Sequence, residues 1–301
     1  MATAHKSIYG ALIANLAIAI TKFVAGAISR SSSMIAEGIH SMVDTTNQLL
    51  LLYGIRQSRK PADATHPFGY GRELYFWSFM VAILIFGLGG GISVTQGIRH
   101  IIDPEPLTDP TINYIVLSLS LVFEGASLFV AIKEFNKTRN GVGWWTAIIR
   151  SKDPSSFLVL FEDTAAVLGL LIVMIFLFME HLFNMPVLDG VATLLVGLLL
   201  IAVSLILARE SRSLLMGEGI SSGTRDAIIK IAVDHKHVMR VMNLWSNYQS
   251  PEEVVLVMMV EFEPEIDAGE MLDAMDEIRH SIRAEYPMIR YVIMQPGEKT
   301  V

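Results

Sequence analysis

The sequence predicts a membrane all-α fold, a six-span helical bundle, followed by a small C-terminal α+β domain. Three observations predict it. Of 301 residues, 52% are hydrophobic, and the mean hydropathy of +0.48 is rare among soluble domains. Six runs are apolar over the length of about 20 residues that a bilayer crossing needs. From about Arg209 onward the chain turns charged, and its apolar residues take up the spacings of soluble helices and strands.

The six spans run over 7–28, 33–55, 73–99, 111–133, 155–179 and 186–208, and the second and fifth read as the most polar. The first, within "MATAHKSIYGALIANLAIAI", has no convincing cleavage site and reads as a retained span rather than a signal peptide. Charge sorts the connections. The link after span two holds Arg56, Arg59, Lys60 and Arg72, and the link after span four holds Lys133, Lys137, Arg139, Arg150 and Lys152. The opposite links hold Arg30 and Arg99 beside Asp103, Glu105, Asp109 and Glu180. The positive-inside rule then puts both termini in the cytoplasm. "GWWTAIIRSKDP" ahead of span five reads as an interfacial segment, with Trp144 and Trp145 at headgroup level. "FGLGGG" at 86–91 lies mid-span without a following Lys-Ser/Thr, so it marks close helix packing and not a phosphate loop.

Residues 209–301 read as helix, strand, strand, helix, strand. "TRDAIIKIAVDH" is an amphipathic helix with Ile228, Ile229 and Val233 on one side, and "HVMRVMNLWSNYQ" is a strand. "EEVVLVMMVEFEP" is a buried strand ended by Pro264. "GEMLDAMDEIRHSIRAEYP" places Met271, Leu272, Met275, Ile278 and Ile282 at helical spacing, and "IRYVIMQPG" closes the domain as a strand. This order suits a ferredoxin-like α+β sandwich.

Composition narrows the chemistry. A net charge of −7 and a pI near 5.6 exclude a basic nucleic-acid binder. With no cysteine, a metal site has only His, Asp, Glu and backbone oxygen to draw on. In span two, Glu37, His40, Ser41, Asp44, Asn47 and Gln48 step by threes and fours and form one helical stripe. His40 and Asp44, four apart, reach the same point in space. Ionisable groups at membrane depth cost several kcal/mol unless paired or hydrated. Span five adds Glu162 and Asp163, about 100° apart on a helix, followed by Ala165, Ala166 and Gly169, which permit close helix approach. Span four adds Glu124. The spans read as holding no Lys or Arg to neutralise these acids, so the charge balance calls for a cation from outside. A structural hydrogen-bond network is the bland alternative. Histidine with carboxylates suits Zn²⁺ above all, whereas an all-oxygen set favours Mn²⁺ or Mg²⁺.

"SSSMIAEGIHSMVDTTNQ", "HPFGYGRELYFWS", "SKDPSSFLVLFEDTAAVLG" and "VLDGVATLLVGLLL" together resemble the cation diffusion facilitator family, and within it the zinc-transporter branch whose eukaryotic members sit in mitochondria. The resemblance covers nearly the whole chain. It implies a tetrahedral transport site made by two residues four apart on span two and two on span five. His40 and Asp44 match the first pair and Asp163 the last position of the second. Val159 falls where the remaining ligand is usual, so the fourth ligand is Glu162, with Glu124, Glu37 or water as alternatives. In the link after span two, Asp63 and His66 match positions that bind metal in many members, but Tyr70 stands where a further His is common. These two residues either form a weak site or shape the loop. In the C-terminal domain, Met294 and Pro296 occupy ligand positions of the family's zinc pair, and the surroundings of His235, His237 and His280 differ from the family's. A metal-poor dimerisation domain is expected, with Met258, Met259, Met271 and Met275 as packing.

The function expected is export of a divalent cation, Zn²⁺ as transported substrate, from the cytoplasm by proton antiport with alternating access. It needs no organic cofactor. The partners are the metal, protons, the bilayer and a second copy of the chain, and the location is a bacterial inner membrane. Imidazole and carboxylates must lose protons to bind metal, and His40 has an unperturbed pKa of about 6.5. A proton-coupled organic-cation carrier is the alternative. It predicts aromatics around the acids, and Tyr53, Phe157, Phe161, Phe176 and Phe178 are not clustered there. A membrane-embedded hydrolase would need a motif such as H-E-x-x-H, which the sequence lacks.

Overall fold

The structure is a computed structural model and describes residues 2–104, 110–139 and 141–297, with side chains from residue 15 onward except at 138, 149, 150 and 156. Glu105, Asp109 and the side chain of Arg150, counted above in the links, lie outside the described residues. Six long helical paths carry the N-terminal two thirds. They are α1 (Ala2–Ser29), α2 (Ser32–Ser58), a composite third path, α5 (Thr111–Thr138), α7 (Pro154–Phe183) and α8 (Val187–Met216). The third path begins as α3 (Glu73–Leu84), widens into a π-helical stretch over Ile85–Gly91 and continues as α4 (Ile92–Ile102). The short α6 (Trp144–Arg150) precedes α7, and its Trp144 stacks on Phe135 at 5.4 Å while Trp145 stays exposed.

Four stretches, Glu73–Ile102, Thr111–Lys137, Phe157–Phe183 and Val187–Met216, are long and apolar enough to cross a membrane. The described part of α1, Asn15–Ser29, is a shorter apolar helix. Helix α2 falls below that standard because its polar stripe dilutes it. Helix α7 corrects the expectation that it would rank lowest, being more apolar than the α3–α4 path. The runs flanking Glu162 and Asp163 outweigh two charges.

The chain divides into two compact units. One holds Met1–Ile55 with Phe76–Ser211, and the other holds Arg56–Tyr75 with Arg212–Val301. In the first unit, glycines staple the third path to α8. A Cβ on Gly97 would lie 2.6 Å from the Leu194 backbone nitrogen, and one on Gly197 would lie 2.7 Å from that of Val94. Gly90, from the "FGLGGG" run, meets Ile201 in the same seam, whereas Gly87 touches nothing within 4 Å. Helix starts are made locally. Asp153 accepts from the Ser155 amide at 3.0 Å ahead of Pro154, which opens α7.

In the second unit the order is α9 (Ser222–Val233), β1 (Val238–Ser250), β2 (Glu253–Phe262), α10 (Ala268–Glu285) and β3 (Ile289–Pro296). Strand β2 is central, antiparallel to β1 with Leu244 opposite Met258, and parallel to β3 with Met258 opposite Met294. It is apolar almost throughout because it is paired on both edges and lies against the helices' core. Ile228, Leu256, Met258, Ile278, Ile282 and Ile289 fill that core, and Met271 and Met275 pack against it. This is the expected ferredoxin-like α+β arrangement. Two core assignments are corrected. Val233 is 40% exposed and Leu272 is 64% exposed. Ala232 and Ala274 take the buried positions instead, because close helix-to-sheet packing admits a methyl group where a longer side chain would not fit.

Candidate metal-binding site

The stripe on α2 turns inward. Glu37, His40, Ser41 and Asn47 are buried, while Met42 and Thr46 between them are exposed. His40 Nε2 lies 3.5 Å from Asp44 Oδ2, one helical turn away. Among the described residues, both ring nitrogens of His40 and Oδ1 of Asp44 are buried without a hydrogen-bond partner. Such groups are costly to leave unmet in a low-dielectric interior. They are also donor types that first-row divalent metals take.

The two acids of α7 part company, as their 100° offset requires. Glu162 is buried and faces α2, where Asn47 Nδ2 donates to its Oε1 at 2.7 Å. Asp163 faces α5 and accepts from Ser127 Oγ at 2.7 Å. Val159 is 36% exposed. Hydrogen bonds join α2 to α7 through Asn47 and Glu162, and α7 to α5 through Asp163 and Ser127. The structure thus brings His40 and Asp44 together and sets Glu162 and Asp163 on separate partners. Among the described residues, no three His, Asp or Glu side chains are gathered closely enough to hold a metal ion together.

Lys22 corrects the sequence reading. It is a lysine inside α1, fully buried, and its Nζ sits 3.0 Å from Glu37 Oε2 and 2.8 Å from Ser41 Oγ. The acids therefore have a resident counter-charge. The signal was present in "AITKFVAG", one cation inside an apolar run. Asp189, in the "VLDG" motif, is a second residue with an unassigned role. It caps the start of α2 from α8, accepting from the Ser32 amide at 2.5 Å, Ser32 Oγ at 2.8 Å and Ser31 Oγ at 2.7 Å, and also from Ser33. An anion at a helix N-terminus satisfies its free amides and the helix dipole. Here that anion fixes the helix that carries His40.

The link after α2 is organised by Asp63. Oδ1 accepts from Thr65 Oγ1 at 2.7 Å, the His66 amide at 2.7 Å and the Thr65 amide at 2.8 Å, while Oδ2 accepts from Tyr70 Oη at 2.7 Å. The Thr65 hydroxyl first, then the Tyr70 hydroxyl and the His66 amide, hold the Asp63 carboxyl well below the usual carboxylate range. His66 Nδ1 lies 2.9 Å from the Thr65 hydroxyl, and its ring packs on Tyr70. These contacts favour the loop-shaping role over metal binding. In the C-terminal unit, His235 pairs with Glu277 and His237 with Glu263, each at 3.1 Å.

Comparison with known proteins supplies the family. Residues 8–216 match the model of the cation efflux transmembrane domain. Metal tolerance protein C4 of Arabidopsis thaliana is 31% identical over 284 residues, which is 94% of this chain and 61% of that protein. A mitochondrial proton-coupled zinc antiporter of Xenopus laevis is 38% identical over 201 residues, 66% of this chain and 36% of that protein. The cation-efflux pump FieF of Escherichia coli is 33% identical over 123 residues, 38% of this chain and 41% of that protein. The chain therefore spans only part of the length of these relatives. With a matching domain model over more than half its residues and an apolar helical bundle around a buried His–Asp pair, the chain is an integral membrane protein that belongs to the cation efflux, or cation diffusion facilitator, family.

Proposed function

We propose that the protein carries a divalent metal ion, Zn²⁺ foremost, out of the cytoplasm in exchange for protons, with both termini on the cytoplasmic side. The observation that supports this reading best is the buried pair on α2. His40 and Asp44 present unmet nitrogen and oxygen donors, one turn apart, inside a membrane helix. In this reading His40, Asp44 and Asp163 bind the ion, and Glu162 supplies the fourth ligand. The unmet donors lie one turn apart on one helix, and in this reading the acids of α7 leave Asn47 and Ser127 to join them. Proton exchange follows from the donor chemistry. Imidazole and carboxylate bind metal only when deprotonated, so protons arriving from the far side expel the ion and their loss on the cytoplasmic side readmits it. The mixed nitrogen and oxygen set favours zinc over manganese or magnesium. The names of the plant and amphibian relatives, one a metal tolerance protein and one a zinc antiporter, point the same way.

The test is zinc uptake into inverted membrane vesicles by the Asp44→Asn variant. The change keeps the side chain's size and removes its charge. Uptake should fall to background while the purified variant unfolds at the parental temperature. Uptake close to that of the parent would remove Asp44 from the site.

A further inference from the structure

Glu37 shares the α2 stripe with His40 and Asp44 and stands one turn before His40. On charge alone it belongs in the donor set. Its surroundings point elsewhere. Oε2 is held 3.0 Å from Lys22 Nζ, and neither side chain is accessible at all. Lys22 spends a second hydrogen bond on Ser41, one turn further along α2, so the ammonium is anchored at two points of the same helix. From the other side α7 presses on the carboxylate. A Cβ on Gly169 would lie 3.0 Å from Glu37 Oε1, so the absence of a side chain there makes room for the glutamate. Glu37 is thus held through Oε2 by a cation on α1, while Oε1, buried and without a hydrogen-bond partner among the described residues, faces the bare α7 backbone at Gly169. Ser41, the second partner of Lys22, is the chain neighbour of His40, so the pair borders the metal site.

From this geometry we infer that Lys22 is a specificity-determining residue, which withdraws the Glu37 carboxylate from the metal's reach and so keeps the donor set poor in oxygen. The inference rests on the metal-site reading given above. Its chemical content is a choice between ions. Zinc is content with four donors that include imidazole, whereas Mn²⁺ and Mg²⁺ take six and prefer carboxylate oxygen. A glutamate released beside His40 and Asp44 would add one or two oxygens and one negative charge. It would serve the harder ions more than zinc. Lys22 also lowers the net negative charge around the ion, which keeps a transported cation from being held too tightly to leave.

The test uses the full-length protein in detergent, titrated with Zn²⁺ and with Mn²⁺. Lys22→Met frees Glu37 and should shift the ratio of manganese to zinc affinity upward by about tenfold. Adding Glu37→Gln in the same background should take that gain away, because the gain belongs to the carboxylate. An unchanged ratio in Lys22→Met overturns the inference, and so does a gain that survives Glu37→Gln. Since Lys22→Met leaves an unpaired buried carboxylate and can fail to fold, a measurement on the parent decides independently. Infrared difference spectra with and without zinc, assigned against Glu37→Gln, should show the Glu37 carboxylate stretch unmoved. A zinc-induced shift of that band makes Glu37 a ligand and overturns the inference. A parent that binds neither ion marks a different failure, that of the metal site itself.

Discussion

Asn47 is the residue that aims Glu162. Its amide donates to Oε1 from a buried position on α2, and Glu162 is the acid of α7 that looks toward His40's helix. Replacing Asn47 by Leu keeps the volume and deletes the donor. Leaving a buried acceptor without its donor costs about 1–3 kcal/mol, so thermal unfolding in detergent should show a loss of that order. Zinc affinity should fall as well. If Asn47 acts through Glu162, the double variant Asn47→Leu, Glu162→Gln should bind zinc no worse than Glu162→Gln alone. Additive losses would show that Asn47 works by another route. At this scale the sequence was legible where spacing alone decides. His40 and Asp44 meet because they are four apart on one helix. It was silent where packing decides. Glu162 and Asp163 are neighbours in the chain, and only the placement of α2 and α5 sends one to Asn47 and the other to Ser127. Lys22 was missed because one cation barely alters the hydropathy of a span, and its partner Glu37 lies on the next helix.

Between elements, the seam of the third path with α8 rests on glycines that admit backbone against backbone. Gly97 offers the sharpest contrast with Gly87. A methyl group on Gly97 would meet the Leu194 nitrogen at 2.6 Å and the Gly190 oxygen at 2.9 Å, both backbone atoms that cannot swing aside. Overpacking of this kind costs about 1–3 kcal/mol, and small residues are what let membrane helices approach. Gly97→Ala should therefore lower the unfolding temperature in detergent, while Gly87→Ala, with open space around its Cβ, should leave it near the parental value. Equal behaviour of the two variants would contradict the seam. The "FGLGGG" run announced close packing, and Gly90 delivers it, but the π-helical widening over Ile85–Gly91 has no residue signature apart from the glycines themselves. In the C-terminal unit the strands were readable from their apolar runs. Which face of α9 and α10 turns inward was less so. Ala232 and Ala274 carry little hydropathy yet sit in the core, and the larger Val233 and Leu272 are left outside.

At the scale of the whole molecule, the chain's two compact units do not follow the simple division into spans and tail. The link Arg56–Tyr75 belongs with Arg212–Val301. Phe68 packs edge-on against Tyr291 at 5.4 Å, Arg72 donates to Asn247 Oδ1 at 2.7 Å, and a Cβ on Gly71 would lie 2.5 Å from the Gln249 carbonyl. Within the link, the Asp63 turn is built on a carboxylate. Its folded pKa is lowered, so its support is fully present above the unfolded value of about 3.9 and is lost only as pH falls through the lower folded value. Amide exchange at Thr65 and His66, corrected for intrinsic rates, should therefore stay equally protected from pH 8 down to pH 5, and Asp63→Ala should remove that protection at every pH in the range. Zinc affinity should not follow, because both oxygens of Asp63 are already taken by hydrogen bonds. Cutting the chain after Ser211 tests the larger arrangement. The anchors on Asn247, Gln249 and Tyr291 then disappear, and trypsin should cleave the link at Arg56, Arg59 or Arg72 faster than in the intact protein. In the proposed function the transport site lies wholly within the helices, and the C-terminal domain is expected to hold a second copy. The truncated protein should then bind zinc within about threefold of the parent, a free-energy change below 1 kcal/mol, while its mass in detergent falls toward that of one copy. A still-helical truncated protein that had lost zinc binding would show that residues 212–301 hold the metal or fix the geometry of His40 and Asp44. One that kept its dimer would move the subunit contact into the helices.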